Sequence, residues 1–119
     1  MIGKSGSAST IVKENNTAKA VGSGSLDVFS TPMMIALMEE AACNALSGDC
    51  SVGTEISVQH TAASPLGAEI TATATITAVD GRKISFTVSA RDNNNEIGKG
   101  THTRFIVDAE RFMAKIGKC

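Results

Sequence analysis

A chain of 119 residues has the length of one domain, 1–119, and is large enough to bury a core without metal or disulfide staples. Its 11 basic and 12 acidic residues are mixed along the chain for a net charge of −1, and Trp and Tyr are absent. That excludes a nucleic-acid binder, which needs a basic face and stacking rings. No apolar run approaches a membrane span, and the N-terminus MIGKSGSAST has no hydrophobic signal core. The 3 cysteines are odd in number and lack C-x-x-C spacing, so reduced thiols and a cytosolic, membrane-free location are expected, with Cys119 incidental.

Residues 1–9 are small and polar and read as a frayed end. Thr10 to Val21 holds short β-prone pieces around Asn15-Asn16, either two weak strands or one interrupted strand. Gly22 to Ser25 is a flexible connector. Phe29 to Ser47, FSTPMMIALMEEAACNALS, is the one long segment with a helical period: Met34, Leu37, Met38, Ala41 and Ala45 fall on one apolar face. Thr31 can cap this helix, Pro32 suits its first position, and Gly48 can end it in the left-handed conformation. Ala36, Glu40, Asn44 and Ser47 form the wet face. Glu39 instead flanks the apolar stripe, among Ile35, Ala42, Cys43 and Leu46, where a carboxylate needs a partner or a job.

After the helix the period changes from 3.6 to 2. Over residues 52–62, Val52, Thr54, Ile56, Val58 and His60 share one face of a strand, and Glu55, Ser57 and Gln59 the other. Ile70, Ala72, Ala74, Ile76 and Ala78 alternate with threonines in the clearest strand of the chain. Asp80-Gly81 signals a hairpin, beyond which Ile84, Phe86, Val88 and Ala90 continue the alternation. Asn93-Asn94-Asn95 turns into a last long strand, Glu96 to Val107, and Asp108 to Ile116 reads as an amphipathic terminal helix. One helix and at least four sequential antiparallel strands of small residues predict an α+β arrangement with the helix in the concave face of a curved sheet. Its exposed edges would permit edge-to-edge dimerisation.

His60 falls on the apolar face of its strand. A lone imidazole there is more often a core residue bonded to a backbone carbonyl. With Glu39 available from the helix that the sheet must cover, the two can instead form an oriented acid–base pair on facing surfaces. Thr31 is either a plain cap or a hydroxyl beside free N–H groups at the positive end of the helix, where a developing oxyanion is stabilised. Thr31 and Glu39 are about 12 Å apart in helical rise, so they can bracket a substrate but touch only through His60 or a bound group. Cys43, on the Glu39 flank, reads as a buried inert thiol rather than a nucleophile. His102, in Gly98-Lys-Gly-Thr-His102, reads as structural or exposed. Two histidines without ligand spacing call for no metal, and no cofactor is expected.

The order and spacing of several short motifs carry a resemblance. They are Val28-Phe-Ser-Thr31 with Glu39, Ser51-Val-Gly-Thr54, Val58-Gln-His-Thr-Ala-Ala-Ser-Pro65, Val79-Asp-Gly-Arg82, Val88-Ser-Ala-Arg-Asp92, Glu96-Ile-Gly-Lys-Gly-Thr-His102 and Phe112-Met-Ala-Lys115. Over nearly everything after residue 27 the sequence resembles the hotdog-fold thioesterases, and more narrowly the fluoroacetyl-CoA thioesterase group. The resemblance implies a helix wrapped by a curved antiparallel sheet and hydrolysis of a short-chain acyl-CoA thioester to acid and CoA. It also implies sites at or near the interface of a homodimer, which can pair further into a dimer of dimers. The family's catalytic threonine, glutamate and histidine carry over onto Thr31, Glu39 and His60, and a pocket-lining glycine onto Gly53. Where the specialised enzyme has phenylalanines forming a lid before the helix, this chain reads Gly22-Ser-Gly-Ser-Leu26, leaving Phe29 nearby as the substrate-binding aromatic; fluoroacetyl specificity and a hydrophobic gate are therefore not expected. The attacking oxygen (Thr31, Glu39 or water) stays open, as do the basic residues that meet the CoA phosphates, among Arg82, Lys83, Arg91, Lys99 and Arg104. Two other classes remain: a non-catalytic acyl-CoA binder, and a hydratase of the same fold acting on enoyl thioesters.

Overall fold

A computed structural model describes residues 1–93 and 95–117. Five antiparallel strands, β1 (Ser5–Ile11), β2 (Ser51–His60), β3 (Glu69–Asp80), β4 (Lys83–Asp92) and β5 (Asn95–Ile106), form one sheet in the order β1-β3-β4-β5-β2. Helix α2 (Thr31–Ala45) lies across it, packed mostly on β1 and β3 and less on β4 and β2. A one-turn helix α1 (Ala18–Val21) precedes it, and α3 (Ala109–Ile116) closes the described chain.

The core sits between α2 and the inner face of β3 and β4. Met34, Leu37, Met38, Ala41 and Ala45 are buried from the helix, as its period predicts, and Ala42 from the Glu39 flank is buried with them. Ile70, Ala72, Ala74 and Ile76 meet them from β3, and Ile84, Phe86, Val88 and Ala90 from β4, all buried. The alanines matter as much as the larger residues, since small side chains let a helix lie close on a curved sheet. The Asp80-Gly81 hairpin forms one residue later than its dipeptide suggests: Asp80 pairs with Lys83, and Gly81 (φ 61°) and Arg82 make the tip. Of the predicted Asn93-Asn94-Asn95 turn, Asn93 turns with φ 54° and Asn95 begins β5. Asn94 and Cys119 lie outside the described residues.

Three expectations are corrected. The supposedly frayed first residues form most of β1, pairing with β3 from Ser5↔Thr75 to Ile11↔Glu69. Its linker-like composition serves packing, since a Cβ at Gly6 would collide with the α2 backbone at Ala41 and Ala45. The weak strands read over 10–21 are the end of β1 and the single turn α1. The cap of α2 is Ser30, not Thr31: Ser30 Oγ accepts from Met33 N–H at 3.3 Å, and Thr31 is the first helical residue. At the other end the helix closes at Ala45, and the left-handed turn runs over Ser47 (φ 46°) and Gly48 (φ 96°).

The fourth correction concerns β2. Its pairing with β5 shifts between Gly53 and Glu55, which leaves Thr54 without a counterpart. A bulge of this kind inverts the alternation on one side of it. Ile56, Val58 and His60 remain half-buried on the inner face as expected, but upstream of the bulge Ser51 and Gly53 face inward in place of Val52 and Thr54. That inversion builds half of the site.

Candidate active site

At the start of α2, Thr31 Oγ1 lies 2.8 Å from His60 Nδ1. Ser30 places the threonine, because its capping bond orients the first turn. The end of β2 places the histidine, and Thr61 N–H is tied to Ile97 O at 2.7 Å just beyond it. In the tautomer protonated on Nε2, Nδ1 accepts the threonine proton, the arrangement of a hydroxyl nucleophile and its base. Nε2 is buried and has no hydrogen-bond partner among the described residues. Burial pushes the ring below its ordinary 6.5; the nearby Ala62 backbone favours the charged form but is outweighed. The ring is thus held neutral, as a base must be. The pair borders a cleft of about 270 Å³ whose walls include Phe29, Val28, Ala18 and Ala62. Phe29 is itself buried, its N–H bonded to Ser64 O at 2.9 Å, so it forms a fixed wall.

Glu39 belongs to a second group. Its Oε2 lies 3.2 Å from Arg104 Nη1, with the arginine side chain 8 % exposed and the glutamate 39 %. Gly53 lies directly against them: a Cβ there would sit 2.7 Å from Glu39 Oε2 and 3.1 Å from Arg104 Nη1. Ser51 grips the guanidinium twice, its Oγ accepting from Nε at 2.8 Å and its carbonyl from Nη2 at 3.1 Å. Sequence reasoning singled out Glu39 and Gly53 but missed Ser51, and left Arg104 among several basic residues that could meet the CoA phosphates, with none assigned. The buried arginine instead grips a carboxylate. The available signal was the alternation of β5, which puts His102 and Arg104 on the same face as Gly98 and Gly100, toward the helix.

Thr31 with His60, and Glu39 with Gly53, are therefore two separate clusters within one chain. Glu39 and His60 share no hydrogen bond among the described residues. Seven positions of β2 separate Gly53 from His60, roughly 20 Å of strand. The first turn of α2 also offers fewer oxyanion donors than expected: Pro32 has no N–H, and those of Met33 and Met34 are bonded to Ser30 Oγ and Ser30 O. Cys43, expected to be buried, is exposed, and Cys50 is a second exposed free thiol. His102, read as structural or exposed, is 3 % exposed and belongs to the Arg104 cluster. Among the described residues no group of His, Cys, Asp and Glu could hold a metal ion.

A family model described as "FlK: Fluoroacetyl-CoA-specific thioesterase" matches residues 12–110. The chain belongs to the fluoroacetyl-CoA-specific thioesterase family. It is 45% identical over 95 residues to the fluoroacetyl-CoA thioesterase of Streptantibioticus cattleyicolor, which covers 76% of this chain and 68% of that protein. The crystal structure of a point mutant of the family enzyme, in complex with fluoroacetate and CoA, aligns with a TM-score of 0.86 at 36% identity over 94% of this chain and 98% of that one. A hot-dog-like protein from Thermanaerovibrio acidaminovorans aligns with a TM-score of 0.86 at 23% identity, over 98% and 90% of the two chains, and shows the shared fold. The α+β hotdog expectation is therefore met: helix in concave sheet, one long antiparallel order.

Proposed function

We propose that the protein is an acyl-CoA thioesterase that hydrolyses a short-chain acyl-CoA to the free acid and CoA, with Thr31, His60 and Glu39 as its catalytic residues. The observation that carries this reading is the 2.8 Å contact between Thr31 Oγ1 and His60 Nδ1 at the mouth of an open cleft. A non-catalytic acyl-CoA binder has no use for a hydroxyl aimed at a neutral imidazole. An enoyl hydratase would need an acidic partner for that ring, and Asp27 lines a different depression, with Glu14 and Lys19.

In this mechanism the Thr31 oxygen attacks the thioester carbonyl while its proton passes to His60. The C–S bond breaks, the imidazolium returns the proton to the CoA thiolate, and water then cleaves the threonyl ester to release the acid. Glu39 activates that water, and the Gly53 N–H supplies the oxyanion donor that the start of α2 lacks.

The two clusters are brought together by a homodimer. β2 is an edge strand, and an open edge recruits another strand. Antiparallel pairing of two β2 edges about a two-fold axis near Ile56 and Ser57 sets residue 60 of one protomer opposite residue 53 of its partner. Each cleft then takes Thr31, His60 and Phe29 from one chain, and Glu39 and Gly53 from the other. The exposed free thiols of Cys43 and Cys50 suit a reducing compartment, so we place the enzyme in the cytosol.

Thiol release from acetyl-, butyryl- and longer acyl-CoAs tests the activity, and hydroxylamine trapping tests the ester. Turnover abolished separately in Thr31→Val, Glu39→Ala and His60→Ala, and restored by mixing Glu39→Ala with His60→Ala protein, is the expected result. Binding of acyl-CoA without any turnover in the wild type would overturn the hydrolase reading. Failure of the mixed variants to complement would overturn the shared site.

A further inference from the structure

His102 sits at the centre of a chain of bonds that the proposed chemistry does not use. It is 3 % exposed and stacks against Phe86 with ring centroids 5.8 Å apart. Its Nδ1 lies 2.7 Å from the carbonyl oxygen of Glu55, an acceptor only, so Nδ1 carries the ring proton. Nε2 is then the acceptor, and Arg104 Nη1 donates to it at 3.2 Å. The same Nη1 atom donates to Glu39 Oε2 at 3.2 Å.

The guanidinium is a planar fork with donors in fixed directions. Ser51 fixes one side of it, through Nε and Nη2. His102 occupies the second proton of Nη1, so the remaining one can only point at the carboxylate. Gly53 leaves the space in which the three groups meet, since a Cβ there would lie 2.7 Å from Glu39 Oε2, 3.1 Å from Arg104 Nη1 and 3.2 Å from His102 Cε1. A histidine serving only to fill the core would need its carbonyl bond and its ring stack. It would not need its other nitrogen on a buried arginine.

We propose that His102 is a positioning residue, which locks the Arg104 guanidinium at Nη1 and thereby sets the direction of the Glu39 carboxylate for hydrolysis. The inference rests on Glu39 being catalytic, and its test separates the two. Imidazole ¹⁵N shifts of the wild-type protein are expected to show Nδ1 protonated and Nε2 bare; a ring protonated on Nε2 overturns the proposal without any variant being made. His102→Asn keeps a donor for the Glu55 carbonyl and removes the acceptor for Arg104, whereas His102→Gln restores an acceptor near the Nε2 position.

In thiol release from acetyl-CoA, His102→Asn is expected to lose about tenfold or more in kcat with KM within about twofold, and His102→Gln to stay within about threefold of wild type. In NMR spectra of the folded proteins, Arg104 Nη signals should be restrained in the wild type and His102→Gln but averaged in His102→Asn. Equal losses in the two variants, or an unchanged Arg104 in His102→Asn, would show a packing role instead. If Glu39→Gln hydrolyses at the wild-type rate, the catalytic reading of Glu39 fails, while the Arg104 signals still decide what His102 does. If Glu39→Gln is dead and His102→Asn is fully active, only the positioning proposal is lost.

Discussion

Replacing Gly53 by alanine perturbs the Glu39 cluster with a single methyl group. No strain arises from the backbone, because Gly53 is not among the glycines of positive φ. The effect is therefore one of crowding. The new carbon would sit 2.7 Å from Glu39 Oε2, where ordinary contact begins at 3.4 Å. The oxygen must retreat by about 0.7 Å, and Arg104 Nη1 by about 0.3 Å, on the scale at which misplacement of a reacting group costs up to about a hundredfold in rate. The Glu39 side chain is 39 % exposed and can swing toward solvent, so the fold relaxes easily. Stability should change by less than about 1 kcal/mol, since a part-exposed ion pair contributes little and alanine lowers the entropy of the unfolded chain. The expected outcome is a fall of about tenfold to a hundredfold in kcat for acyl-CoA hydrolysis, beside a near-unchanged urea midpoint. A Gly53→Ala enzyme that turns over within twofold of wild type would refute the claim that the vacancy at this position holds the carboxylate in place.

Other outcomes follow from the same contacts. Thr31→Val should abolish turnover by about a hundredfold or more while leaving the melting temperature close to wild type, because Ser30 and not Thr31 caps the helix; Thr31→Ser, which keeps the hydroxyl, should retain most of the rate. Ser30→Ala should destabilise by about 1 kcal/mol in chemical denaturation, since Ser30 is 1 % exposed and its Oγ holds Met33 N–H. The acid limb of kcat/KM should fall below 6.5, because burial lowers His60 and the ring must be neutral to act as a base. Stability carries the same sign. Burial lowers both His60 and His102, so the unfolded chain binds more protons below 6.5 than the folded one; stability should be full above 6.5 and decline as pH falls through the depressed folded values, read as a falling urea midpoint.

The helix and the strands β3 and β4 were legible because their hydrophobic period agrees with their burial at nearly every position. The β1 strand was not, since a Gly- and Ser-rich segment has no period to read; its pairing is imposed by β3 and by the closeness of α2 at Gly6. His60 stands out in the sequence as an imidazole to be paired with Glu39, and the structure joins it to Thr31 instead. Glu39 was found in the same way, but its partner was not, because the arginine that meets it lies 65 residues downstream and carried no local sign of being buried. The first half of β2 was read with the wrong face for one reason: an extra residue in a strand leaves no mark on composition, only on phase.

That extra residue, Thr54, is not what holds the inner face of β2 in place. Gly53 already lies opposite Arg104 and Glu55 opposite Thr103, so deleting Thr54 would let β2 and β5 zip together while Ser51 and Gly53 stayed on the side of Arg104. The partner strand, rather than the count of residues along β2, sets which side chains reach the carboxylate, and the edge strand can change its length at 54 without losing that half of the site.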